Sequence, residues 1–395
     1  MTFKEQILAA VRGEPLPCLP FVPRLDLWYN GNKATNSLPD KYKNATLTEI
    51  VDDLGLGYHC VVPDFSAIED DMDAADVGLG IFRTKSILYT VELNVEKKVN
   101  KNNGETETIY ITPYGELKTK TVYTDDMKLQ GITQPQITEP AVKTEADYAK
   151  VGYIFENATV KPRYHYYDAI HELVGERGPI VAFHYEGGSP MHILQKEMVG
   201  FENFWYHLHD NPEVMLECAE KIEDFMIKVL EVVVKSPGEI IYSGANFDAM
   251  TTNPKFFKEH ITPFLKRRAS IIHENGKYLL AHTDGENKGL LQEYIEADVD
   301  ICDSVCPAPM TELSLQEYRD ILKDKSTIWG GIASVSTLPD SMSDYDFEKY
   351  IDSTLESIGS GRNIILSIAD CTPPGAKFDR ILTIIKKVKE FGPVK

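Results

Sequence analysis

KYLLAHTDGENKGLL, residues 277–291, is the stretch from which the rest of the chain is read. Residues 278–281 form an apolar run of strand length, and the run ends in His282, Thr283, Asp284 and Gly285 before a helical pattern begins. Alternate residues of a strand share a face, so His282 and Asp284 point the same way. An imidazole and a carboxylate on one side of a strand end form a ligand-type pair. The same residues also have structural readings: His282 as a hydrogen-bonded strand-end residue, and Asp284-Gly285 as the cap of the following helix.

Working outward, the same rhythm repeats. Apolar strand-length runs at 180–185, 239–242, 299–303, 327–332 and 363–368 alternate with helical patterns, among them a long one over 254–274 and a last one over 378–391. Earlier in the chain, residues 21–27 read as a buried strand ending in Trp28, Tyr29 and Asn30, and residues 59–62 as a second strand ending in Pro63, Asp64 and Phe65. The total is about eight strands, the number an α/β protein of the (β/α)8 barrel type requires. Residues 82–132 differ: they alternate apolar and polar, with turn signals at Asn103-Gly104 and Pro113-Tyr114-Gly115, as in an antiparallel meander. The expected organisation is one barrel over 1–395 with an antiparallel insertion at 80–145.

Composition bounds the function. The formal charge of −20 argues against nucleic acid as a partner, because phosphates demand a basic face. It also disfavours anionic membrane surfaces, and no apolar run is long enough to span a bilayer. The first helix carries acidic residues, unlike a signal peptide, and the six cysteines are scattered. A cytoplasmic enzyme is the expectation.

Barrel chemistry gathers where strands end. The candidates there are Arg24, Asp26, Asp64, Glu186, Asn246, Asp248, His282, Asp284, Asp303 and Cys371. His282, Asp284 and Cys371 together offer imidazole, carboxylate and thiolate, three competent zinc ligands. Cys371 is equally open to a reading as buried core, and Cys302 and Cys306 read as core.

Several segments resemble the uroporphyrinogen decarboxylase superfamily, and within it the corrinoid-dependent methyltransferases. They are IIYSGANFDAMTTNPKFFKEHITPFLKR, GKYLLAHTDGENKGLLQEYIEADVDICD, IWGGIAS and NIILSIADCTPPGAKFDRI, with FVPRLDLWYN near the N-terminus. The resemblance implies a TIM barrel. It also implies a zinc ion held by a His-x-Cys pair and a later Cys. His282 and Cys371 match that pattern, and Asp284 stands where the family has Cys. A carboxylate in that place makes zinc a harder Lewis acid towards oxygen, which favours taking a methyl group from a methyl ether. The implied reaction is O-demethylation of a methoxylated aromatic, with the cobalt(I) corrinoid as acceptor. The chain lacks an Asp-x-His-x-x-Gly corrinoid-binding segment, so the corrinoid is expected on a partner protein. A homodimer is compatible with the sequence.

On this reading His282, Asp284 and Cys371 bind the metal, and Glu186, Asp26 and Asp64 are the catalytic candidates, Glu186 also as a fourth ligand. Trp28, Tyr29, Phe65, Tyr185, Tyr242 and Asn246 contact substrate. The alternatives are methyl transfer from corrinoid to a thiol, a metal-free decarboxylase relying on Arg24 and Asp64, and a non-catalytic barrel that only binds.

Overall fold

The structure is a computed structural model, and it describes residues 1–59, 74–81, 88–129, 132, 134–185 and 187–395. The chain gathers into two compact units, Met1–Asp64 with Ile170–Phe183 and Gly238–Lys395, and Phe65–Ala169 with His184–Pro237.

In the second unit, β1 (Tyr89–Leu93) pairs antiparallel with β6 (Ala158–Pro162). Between them, β2 (Glu96–Asn102), β3 (Glu105–Thr112), β4 (Gly115–Val122) and β5 (Gln136–Glu139) form a four-stranded antiparallel sheet in sequence order. Asn103 and Gly104 both take positive φ, the backbone a two-residue hairpin turn requires. Along β3 the period of two buries Thr106, Thr108, Tyr110 and Thr112. The Tyr110 hydroxyl donates to Asp76, whose other oxygen takes an ion pair from Lys97.

The barrel strands are β7 (Val181–Tyr185), β8 (Ile240–Ala245), β9 (Tyr278–His282), β10 (Ile301–Val305), β11 (Thr327–Ala333) and β12 (Ile364–Ala369). They hydrogen-bond as one sheet in sequence order, and the registered pairs from β8 to β12 are parallel. Such strands are buried on both faces, which is why they read as continuous apolar runs. Every residue of β10, β11 and β12 is buried.

Two short segments complete the ring. Val22 N donates to Leu366 O of β12 and Leu366 N donates to Pro20 O. Gly57 N then donates to Phe21 O, and Tyr58 N to Arg177 O, just before β7. Six strands and these two segments make eight positions, a TIM barrel. Inside it, Trp329 lies edge-on to His59 and donates to Val22 O at 3.3 Å.

Local structure departs from the sequence reading in three places. The expected strand over 21–27 is only a bridge at Phe21, and a helix, Asp26–Ala34, has already begun by its end. The helix expected over 254–274 is two, Pro254–His260 and Thr262–Glu274, the second carrying Pro263 in its first turn, where a missing N–H costs nothing. No helix follows Gly285 directly; the next is Leu291–Glu296, so Asp284 caps nothing. Gly285 instead has φ +114, and a Cβ there would meet the Asp248 carboxylate and Phe247 O at about 3 Å. Among the described residues, no helix is long and apolar enough to cross a membrane.

Candidate metal centre

The parallel register sets Asp303 of β10 directly beside His282 of β9, so both side chains leave the sheet on the same side. His282 Nδ1 lies 2.6 Å from Asp303 Oδ2, and the other Asp303 oxygen is 3.3 Å from His59 Nε2. Asp303 is almost wholly buried. A buried carboxylate on Nδ1 fixes the proton there and turns Nε2 outward, the arrangement that orients metal-binding imidazoles.

Nε2 of His282 is 3.3 Å from Asp370 Oδ1, at the residue immediately after β12. Asp284, two residues past His282, completes the group: ligand atoms of His282, Asp284 and Asp370 all lie within 4.8 Å of one another. Each carboxylate also accepts from neighbouring donors. Asp370 Oδ1 accepts from Arg24 Nη1 at 3.2 Å and Ser304 Oγ at 3.4 Å. Asp284 Oδ1 accepts from Cys306 Sγ at 3.5 Å. Arg24 is itself gripped by Asp26 through Nε at 3.0 Å and Nη2 at 3.3 Å, a two-pronged pairing only a guanidinium makes.

The charges are strongly coupled. Burial works against the imidazolium of His282, but Asp303 and Asp370 outweigh it and raise the group to about 10. Burial opposes ionisation of Asp303, yet His282 and His59 hold it down to about 2. Asp370 is also well below the ordinary carboxylate range, its burial overcome by His282 and Arg24. Asp284 is pushed up, by burial and then by the charge of Asp370. Nε2 of His282 thus faces two carboxylates, Asp284 and Asp370. One imidazole nitrogen and two carboxylate oxygens suit zinc and similar divalent ions.

The other candidates divide. Cys371 adjoins Asp370 and is half-buried; burial and the Asp370 charge push its thiol up to about 12, but it lies outside the group of three. Tyr242 of β8 flanks the centre, its ring 6.1 Å from that of His282 and stacked on Phe183 at 5.0 Å. Asn246 donates its backbone N–H to His282 O in the left-handed region, which asparagine tolerates. Asp26 reaches the centre through Arg24. Trp28 and Tyr29, expected at a strand end facing substrate, are buried on the helix Asp26–Ala34: Trp28 stacks on Phe378 at 5.6 Å and the Tyr29 hydroxyl donates to Ala45 O. Tyr185 belongs to the second unit and packs edge-on to Phe225. Asp64, Phe65 and Glu186 lie outside the described residues.

Asp370, His59 and Ser304 carry no site signal in the sequence, and Cys306, read as core, is buried and also donates to Asp284. A signal for Ser304 exists only in the structure: the β10 register shifts between Asp303 and Val305, and Ser304 sits there at φ +62.

No curated protein matches the chain. Among solved structures, 23 chains match; one, a methyltransferase from Methanosarcina mazei, covers 99% of this chain and is covered over 99% of its own, with a TM-score of 0.54 and 14% identity, a likeness of fold. The uroporphyrinogen decarboxylase (URO-D) family matches residues 125–391, which include β7 to β12 and, in His282, Asp284, Asp303 and Asp370, most of the centre. With β7 to β12 and more than half of its length so matched, the chain belongs to the uroporphyrinogen decarboxylase (URO-D) family.

Proposed function

We propose that this protein is a zinc-dependent methyltransferase that removes the methyl group of a methyl ether, a methoxylated aromatic, and passes it to the cobalt(I) of a corrinoid carried by a separate protein. The observation that carries the reading is the His282–Asp284–Asp370 centre at the strand ends, with Asp303 orienting the imidazole. The shared fold with a methyltransferase supports it, and on this reading the corrinoid is carried by a separate protein.

His282 and Asp284 would hold the zinc, with a third ligand from the end of β12, where Asp370 and Cys371 are neighbours. Bound there, zinc supplies Lewis acidity to the ether oxygen, stabilising the charge that develops as the methyl group departs. The rest is the work of the chain. Asp303 keeps the His282 proton on Nδ1, so that Nε2 remains a donor of electrons. Arg24 fixes the Asp370 carboxylate and offsets part of the negative charge gathered by Asp26, Asp284, Asp303 and Asp370. Tyr242, stacked on Phe183, lays an aromatic ring beside His282. The excess of carboxylates also disfavours the polyanionic tetrapyrroles on which a decarboxylase of this family would act.

The experiment supplies zinc-loaded protein with a methoxylated aromatic and free cob(I)alamin, following loss of the cobalt(I) absorbance together with release of the phenol. Transfer that stops on chelation and returns with zinc is the expected result. Carbon dioxide release from a tetrapyrrole acid without methyl transfer overturns the proposal. Methylation of a thiol from methylcobalamin, with no ether cleavage, reverses its direction.

A further inference from the structure

We infer that Asp370, not Cys371, is the third protein ligand of the centre, so that the cation sits on one nitrogen and two oxygens with no sulfur. The inference rests on the metal-dependent reading above and narrows it. A site built without thiolate keeps its Lewis acidity for oxygen, and the substrate group it selects is an ether or alkoxide oxygen in preference to a thiol.

Three observations lead there. The geometric group contains Asp370 and leaves out its neighbour Cys371. Asp370 Oδ1 already faces His282 Nε2 at 3.3 Å, so the two atoms flank one shared position. The same oxygen accepts from Arg24 Nη1 at 3.2 Å and Ser304 Oγ at 3.4 Å, donors that fix the orientation of the carboxylate. Neither partner is incidental. Arg24 is buried and clamped in turn by Asp26. Ser304 holds a left-handed backbone conformation, φ +62, which costs a non-glycine residue free energy and persists only where surrounding structure enforces it. The chain thus spends a buried guanidinium and a strained serine on Asp370. Cys371 is instead a half-buried residue placed beside this assembly.

The test reads the donor atoms directly. The full-length protein is stripped with a chelator and loaded with Co²⁺, whose near-ultraviolet spectrum carries an intense charge-transfer band only when a thiolate is bound. The expected wild-type spectrum lacks that band, and Cys371→Ser gives the same spectrum with cobalt retained. Asp370→Ala weakens cobalt binding by at least about ten-fold, the scale on which disturbing a metal site is felt. Should Asp370→Ala fail to fold, Asp370→Cys serves in its place: it restores a three-ligand site and should gain the thiolate band. A wild-type thiolate band that vanishes in Cys371→Ser overturns the inference while leaving the metal-dependent reading intact, and so does undiminished cobalt affinity in folded Asp370→Ala. A wild-type protein that takes up no cobalt or zinc overturns that reading and the inference together.

Discussion

Asp303 shows how much one buried carboxylate can decide. It accepts from His282 Nδ1 through one oxygen and faces His59 Nε2 through the other, so it settles which imidazole nitrogen is left for a cation. Asparagine in its place keeps the size but offers one acceptor and one donor, and it no longer balances the imidazole. The Asp303→Asn protein should therefore bind zinc roughly 10- to 100-fold more weakly, measured by competition with a chromogenic chelator. An unchanged dissociation constant would confine Asp303 to a structural role. At this scale the sequence is informative only where spacing is. His282 and Asp284 can be paired on paper because alternate strand residues share a face. Asp370 and Cys371 cannot be separated that way: they are neighbours at a strand end, and which one turns inward depends on where the strand stops. The Arg24–Asp370 contact, 346 residues apart in the chain, leaves no trace in either segment alone.

The elements that present these residues are irregular where it matters. On β11, Gly330 has φ +144, and a Cβ there would lie 2.6 Å from Val305 O and 2.7 Å from Val305 N, at the register shift that places Ser304. Backbone cannot yield as a flexible side chain can. Gly330→Ala should cost roughly 1–3 kcal/mol, read from urea unfolding, and weaken zinc binding through Ser304 and Asp370. In the second unit, the short helix Pro190–Ile193 starts at Ser189, and His192 Nδ1 accepts from Gly188 N at 3.2 Å. Burial, then Lys196, lowers His192 to about 3. A histidine depressed in the folded state contributes stability that is complete above its unfolded value near 6.5 and is lost as the pH falls towards 3. The loss reaches at most about 1.4 kcal/mol per pH unit. Glu197, raised by burial, changes in the opposite sense, so the comparison must be with His192→Gln, whose stability should fall less steeply below pH 6.5. Parallel slopes would show that His192 titrates normally. Among the elements, the strand over 21–27 was misread for a physical reason. Pro20 and Pro23 have no N–H to give a ladder, Val22 N donates to Leu366 O of β12, and Asp26 then favours the first turn of a helix.

For the molecule as a whole, the repeating βα rhythm made the barrel legible, because strands buried on both faces and amphipathic helices leave different periodicities. The antiparallel texture was legible for the same reason. It was not legible that residues 184–237, largely helical and placed directly after a barrel strand, cluster with the antiparallel segment. A helical pattern records that a face is buried, not what buries it. Charge is the other property of the whole chain, with 61 acidic against 41 basic residues. The same sign prevails at the centre, whose own carboxylates outnumber its cationic groups, so the net charge of the chain and the local field both draw in divalent cations and repel anions. The two can be separated by salt. Between about 0.01 and 1 M the screening length shrinks from roughly 30 to 3 Å, which removes the far field but barely touches buried contacts. Cobalt uptake followed by stopped flow should therefore slow by roughly ten-fold or more across that range, the low end of what steering supplies. The dissociation rate should stay nearly constant, since on the proposed ligation it is set by His282, Asp284 and Asp370. If the dissociation rate carries the salt dependence and uptake does not, the cation is held by exposed charge and not by the centre.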